Sequence, residues 1–314
     1  MPEADVPEIL PIDNSGASEH VVVIPSELHG DPRRQAVTSI QGTVYQAWCS
    51  IDEWLRLSSP DQVIYLEGAE DFDVVTKDGA RTVQVKHQSA PISLANKKMH
   101  KALENFWQLA GQDDARQVQF HYLTTGDIAK EQDASFDGMA GVDAWRIAHH
   151  NAQMAEKVLA YLVLKLDAQS VLRASLKTMK QCEFQEQVIR RIRWLTNQPD
   201  IDTVKKSVDD RISVLLYEQK RSTSFTQKVR KHLESRFWEL VLEQVSRKRC
   251  LTLGDLLCQM EEATTILFPI PLEQIPSIRL RPSQHGRVCV RCSSHQHHRR
   301  FLEHRQAWHH RYIP

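Results

Sequence analysis

The sequence predicts an α/β fold, with a mixed sheet flanked by helices and then an all-helical region. Three observations carry this expectation. Apolar residues recur at helical spacing from Gln35 onward. Two β-branched and aromatic runs then flank Asp78-Gly79, and a third such run follows at residues 118–126. Beyond about residue 140, strand signals give way to helical stripes.

The elements follow in order. Residues 1–34 bear Pro, Glu and Ser with little periodicity and read as a flexible N-terminal segment. Val37, Ile40, Val44, Trp48, Ile51 and Leu55 form the apolar stripe of a first helix, which Ser58-Ser59-Pro60 ends. The stretch "IYLEGAEDFDVVTKDGARTVQVKHQ", residues 64–88, then reads as one long strand, an Asp-Gly turn and a second strand. Ser93 is placed to cap a helix running to about Ala110, with Leu94, Leu103, Phe106 and Trp107 inward. "VQFHYLTTG" is the next strand. Together, residues 35–138 are expected to form an α/β core and residues 139–268 a helical region, with helices over 143–166, 169–196, 202–220, 225–247 and 252–263.

The hairpin carries polar groups that strand interiors usually lack. With Asp78 and Gly79 as a two-residue loop, Asp73 faces Gln84 and Asp71 faces Lys86. Residues two apart share a face. One face then holds Asp71, Asp73, Gln84 and Lys86, with Glu67 at the same parity, and the other holds Phe72, Val74, Val83 and Val85. Directly opposed side chains stand about 5 Å apart at Cβ. Carboxylate and amide oxygens at that spacing can share one hard cation, and a neighbouring lysine can orient a water. On the residues alone, a solvated edge hairpin with Asp71 and Lys86 as a weak surface ion pair stays open.

Asp73 followed by Gln84-Val85-Lys86 resembles the signature of the PD-(D/E)XK nuclease superfamily, in the variant where Gln replaces the second acid. "GTVYQAW" (Gly42 to Trp48) is similar to the Gly-x-x-Tyr-Gln helix of one branch, "ALENFW" (Ala102 to Trp107) to its later helix, and "FHYLTTG" (Phe120 to Gly126) to its next strand. That branch comprises double-stranded-DNA endonucleases associated with CD-NTase antiphage defence and the N-terminal nuclease domains of some STAND antiviral ATPases. The resemblance covers residues 38–130, and more loosely 140–265. It implies a restriction-endonuclease-like core and an Mg²⁺-dependent endonuclease, with Mn²⁺ as an alternative ion. Asp73, Gln84 and Glu67 would be the metal ligands and Lys86 the group that positions or deprotonates the attacking water. Asp71 and, from the first helix, Gln46 would be accessory. Lys97, Lys98 and Lys101 fall just past the catalytic strand, where they can meet phosphate oxygens of double-stranded DNA; a solvated helix face is the alternative. A non-catalytic nuclease-fold scaffold whose helical half binds a protein partner is the competing reading. A homo-oligomer or a regulatory sensor module is the further partner expected.

Composition bounds these readings. The formal net charge of zero over 314 residues excludes a globally basic nucleic-acid binder, so DNA contact needs a local patch. The acidic N-terminus lacks a signal peptide's features and no apolar run reaches membrane-spanning length; a cytoplasmic protein with reduced thiols is expected. No P-loop and no nucleophile elbow occurs. Pro269, Pro271 and Pro276 open a linker, and residues 269–314 read as linker and basic, disordered tail. From Arg279 the chain has eight Arg, seven His and the single acid Glu303, a shift abrupt enough to fit a segment read out of frame. Cys289 and Cys292 have zinc-ligand spacing, but no compact second pair accompanies them, so structural Zn²⁺ is not expected. His87 reads as structural, the Thr124-Thr125 pair as a strand end within reach of DNA, and His149-His150 has no role.

Overall fold

The structure is a computed structural model and describes residues 36–112, 117–133 and 135–265. The N-terminal segment and the tail with Cys289 and Cys292 lie outside the described residues. The chain divides into two units, Met1–Val37 and Thr38–Pro314, and the second holds the sheet.

A six-stranded mixed sheet organises the fold, in the order β5-β4-β3-β2-β1-β6. Helix α1 (Val37–Trp54) leads into β1 (Val63–Leu66), β2 (Phe72–Val75) and β3 (Gly79–Lys86); α2 (Lys97–Gln112) then leads into β4 (Gln117–Thr124). Antiparallel pairing joins β1 to β2 and β2 to β3, while β3 and β4 run parallel, with α2 as the crossover that parallel neighbours require. The expected single strand over 64–75 is therefore two strands broken at residues 67–71, and Glu67 is not on the strand that carries Asp73.

The β2–β3 register also differs from expectation. Asp73 pairs with Thr82 and Phe72 with Val83, which brings Asp71 alongside Gln84 rather than Lys86. The reason is the turn. Thr76 N donates to Gly79 O (2.9 Å), and Thr76 Oγ1 accepts from the N–H of Asp78 and Gly79, so Lys77-Asp78 is the loop. Gly79 is needed for a different purpose: a Cβ there would lie 2.9 Å from Gln117 O on β4. Moving the turn by one residue shifts the register by two, and a two-residue shift keeps every side chain on its face. Asp73, Gln84 and Lys86 thus stay together, and Phe72, Val74, Val83 and Val85 stay buried on the other side.

The helical half returns to the same sheet. Helices α3 (Gly141–Ala148), α4 (Ala152–Lys165), α5 (Val171–Thr178) and α6 (Gln181–Phe184) precede a π-helical turn over Gln185–Ile189 and then β5 (Ile192–Leu195), which runs parallel to β4. Helices α7 (Ile201–Glu218) and α8 (Thr226–Val241) precede β6 (Cys250–Thr252), which pairs antiparallel with β1, and α9 (Leu253–Thr264) closes the described chain. Strands of four and three residues are too short to show a period of two. That is why the sequence places β5 inside a helix and gives no sign of β6.

The two faces carry separate cores. On one, Tyr45, Trp48, Ile51 and Trp54 of α1 pack with Val83, Val85 and the buried stripes of α7, α8 and α9. On the other, Phe106 of α2 and Phe120, Tyr122 and Trp194 of the sheet pack with Trp145, Tyr161 and Phe184. Val37 and Ile40, expected in the α1 stripe, are exposed. Among the described residues, no helix is long and apolar enough to cross a membrane.

Candidate active site

The break between β1 and β2 builds the site. Glu67 adopts a left-handed φ of 49°, and its N–H closes the hairpin onto Asp71 O (3.1 Å). Gly68 passes so close to Asp73 that a Cβ would overlap its Oδ2. Ala69 N then donates to Asp73 Oδ2 at 2.7 Å. The turn backbone thereby folds over Asp73 and aims N–H groups at its carboxylate.

Several polar side chains converge beneath this turn. Asp71 Oδ2 accepts from Val85 N (2.5 Å) and lies 3.7 Å from Lys86 Nζ. Gln84 Nε2 donates to Glu70 Oε2 at 2.9 Å, and Asn105 Nδ2, from α2, reaches Glu70 Oε1 at 3.3 Å. Asp73 Oδ1 and the Oγ1 of its cross-strand neighbour Thr82 are both buried and make no hydrogen bond of good geometry, although the hydroxyl is close enough to favour the Asp73 carboxylate. Buried polar atoms without partners are scarce in native proteins, so a buried oxygen left free beside other acids marks a place where something else can bind.

The electrostatics agree with that placement. Burial raises the pKa of Asp73, against the Thr82 hydroxyl and the N–H groups of Ala69 and Glu70, which lower it. Burial also raises that of Asp71, opposed by the Lys86 charge and the Val85 N–H. Glu70 is raised first by burial and further by Asp71 and Asp73; Asn105 and Lys86 oppose the rise. Asp71 and Glu70 therefore draw on one half-exposed lysine, and Asp73 is held by hydrogen bonds alone. Desolvated, mutually repelling acids of this kind are common where function requires them.

The other expected residues are distributed as follows. Gln46 reaches the turn from α1, but as a clamp: its Nε2 donates to Glu67 Oε1 (2.5 Å) and to Asp71 O (3.3 Å). The Glu67 carboxylate is thus engaged from outside the turn. Lys97, Lys98 and Lys101 are exposed at the start of α2. At about 100° per residue they and Asn105 fall within one stripe of that helix. Thr124 Oγ1 accepts from Gly126 N, and Thr125 Oγ1 bonds both backbone groups of Gln88, so these hydroxyls secure the strand end. His87 lies 5.3 Å, ring to ring, from Tyr45, and His149 and His150 stand beside each other at the end of α3. Glu70 and Asn105 are additions that the sequence does not suggest. A continuous strand gives Glu70 the wrong parity, and only the break at 67–71 turns it inward; nothing local distinguishes Asn105 from helix surface.

The donors suit a hard cation. Among the described residues, no three His, Cys, Asp or Glu side chains form a metal-holding group. Mg²⁺, however, keeps several waters and needs only one or two carboxylates. The free Asp73 Oδ1 and the carbonyl pole of Gln84 would supply an all-oxygen pair.

No protein-family model and no curated protein matches this sequence. Among solved structures, the chain is similar to the Cap4 SAVED/CARF-domain containing receptor of Moraxella osloensis, at 12% identity and a TM-score of 0.44 over 71% of this chain and 47% of that one. It is also similar to the Cap4 SAVED/CARF-domain containing receptor of Acinetobacter baumannii, at 14% identity and a TM-score of 0.43 over 70% of this chain and 45% of the other. The Acinetobacter receptor in complex with the cyclic trinucleotide 3'3'3'-cAAA gives a TM-score of 0.42 at 14% identity, over 70% and 44%. The chain thus spans less than half the length of the solved proteins it resembles.

Proposed function

We propose that this chain is a metal-dependent endonuclease that hydrolyses phosphodiester bonds of double-stranded DNA and acts as an antiphage defence effector. The observation that carries the reading is the buried, unpartnered Asp73 Oδ1 on the same sheet face as Gln84 and Lys86. The defence role rests on the sequence resemblance across residues 38–130, and a sensor module that triggers cutting would be its partner.

Phosphodiester hydrolysis needs an oriented water and stabilisation of charge on the phosphate. Asp73 and the Gln84 carbonyl would hold Mg²⁺, which when bound polarises a phosphate oxygen and lowers the pKa of a coordinated water. Asp71, 3.7 Å from Lys86 Nζ, holds the amine at the end of β3, on the sheet face that carries Asp73 and Gln84. From there Lys86 can hydrogen-bond the attacking water and receive or share its proton, and its ammonium form offsets negative charge gained by the phosphate. Lys97, Lys98 and Lys101 would hold the phosphate backbone without reading sequence. Gln84 is neutral, so the pair carries less charge than two acids would and binds metal modestly.

The test is plasmid digestion with Mg²⁺ and with EDTA, comparing wild type with Lys86→Ala. Cutting that needs the metal and disappears in the variant supports the assignment. Undiminished cutting by Lys86→Ala overturns it. A wild type that neither takes up divalent ions nor cuts favours the scaffold reading.

A further inference from the structure

Gln84 poses a problem that an acid at the same position would not. The two ends of its amide are nearly the same size but opposite in character, oxygen accepting and nitrogen donating. Rotated one way, the amide presents a lone pair to a cation; rotated the other way, it presents two N–H groups and repels it. Something must choose.

We propose that Glu70, braced by Asn105, is the positioning residue that holds the Gln84 amide by its nitrogen and so leaves the carbonyl oxygen for a cation. This rests on the metal-site reading above and adds to it the device that orients the neutral ligand. Glu70 Oε2 accepts from Gln84 Nε2 at 2.9 Å, so the nitrogen end is committed. Asn105 Nδ2 donates to Glu70 Oε1 at 3.3 Å, so both oxygens of Glu70 are engaged and the carboxylate is held at its two ends. Glu70 is therefore poorly placed to be a direct ligand itself. A carboxylate can only accept here, which excludes the inverted amide, whereas a water could satisfy either orientation. Charge-assisted hydrogen bonds are the stronger kind, so the preference is firm. The chain gives Glu70 a route inward through the β1–β2 break and Asn105 a route from α2, two elements separate in sequence that meet at the Glu70 carboxylate.

The experiment measures Mn²⁺ uptake by electron paramagnetic resonance, with thermal melting as a folding control. Glu70→Gln removes the obligate acceptor and is expected to weaken Mn²⁺ binding by roughly tenfold; Asn105→Ala, which loosens the brace, weakens it by about threefold. Gln84→Glu sets two carboxylates against each other. The double variant Glu70→Gln with Gln84→Glu rebuilds one amide and one carboxylate with the donor reversed, and is expected to recover wild-type affinity or exceed it. Gln84→Glu adds charge to the ligand and can raise affinity by itself, so the deciding quantity is coupling: its gain should be larger in the Glu70→Gln background than in wild type, whereas a merely structural Glu70 gives the same gain in both. Unchanged affinity in Glu70→Gln, or effects that add in the double variant, would overturn the proposal. If wild type binds no Mn²⁺, the metal-site reading falls and this one with it; if wild type binds but the Glu70 variants are indifferent, only the positioning role falls.

Discussion

Two sets of partly buried acids in this molecule are treated in opposite ways. Asp52 on α1 accepts from Arg56 Nε (3.0 Å) and from Arg211 Nε (2.9 Å), with Ser207 nearby. Asp209 on α7 accepts from Arg230 (2.9 Å) and Gln227 (3.2 Å). Each of these helix-linking acids has its own guanidinium. Under the β1–β2 turn, Asp71 alone pairs with Lys86, Glu70 and Asp73 have no arginine, and one oxygen of Asp73 lacks a hydrogen bond, as one of Asp209 does. Charge neutralised by arginine joins helices; charge left under-compensated costs stability, which is the pattern the proposed metal site requires.

The largest expected consequence of this difference is in activity. Asp73→Ala and Lys86→Ala should each reduce Mg²⁺-dependent cleavage of duplex DNA by about 10²–10³ or more while the melting temperature stays close to wild type. Full activity in either folded variant would end the distinction between the two acid sets. Asp52→Ala should do the reverse. Losing an acid that serves two arginines should cost about 1–2 kcal/mol by urea titration and leave turnover per folded molecule intact. The arginines are partly exposed and can return to water, which keeps the loss in that range.

A third expectation concerns pH. Burial raises the folded-state pKa of Asp73. For a raised carboxylate, the contribution to stability is fully present below the unfolded-state value of about 4 and is lost as pH rises through the folded-state value. Asp73→Asn should therefore melt higher than wild type at pH 7, with the gap closing toward pH 4. Added Mg²⁺ should narrow the gap at pH 7 by stabilising wild type alone. A variant no more stable than wild type at pH 7 would mean that this carboxylate is compensated after all. The smallest effect belongs to the α2 lysines. Replacing Lys97, Lys98 and Lys101 with Ala should lower the salt dependence of DNA binding by about 0.9 in log–log slope for each phosphate no longer neutralised, with the single-turnover rate at saturation unchanged. An unaltered slope would return them to the solvated face of a helix.

The sequence by itself determined the face. Alternation in Phe72-Asp73-Val74 and Val83-Gln84-Val85-Lys86 puts the polar set on one side whatever the register, provided that it shifts by an even number, and the pattern of α1, α2 and α7 to α9 is legible because long helices repeat their period several times. It did not determine which residues meet. The turn lies at Lys77-Asp78 because Thr76 captures two N–H groups and because β4 leaves no room for a side chain at residue 79, and the second of these is a contact across the sheet. Glu70 turns inward only because the backbone breaks at Glu67 and Gly68, folding over an aspartate five residues on. β5 and β6 are strands only because β4 and β1 offer open edges to segments too short to carry a pattern of their own. Local preference is a sum over neighbours in sequence, and it fixes periodic elements; the partner of a side chain depends on segments far away along the chain, and only packing brings Asn105, Glu70 and Gln84 together.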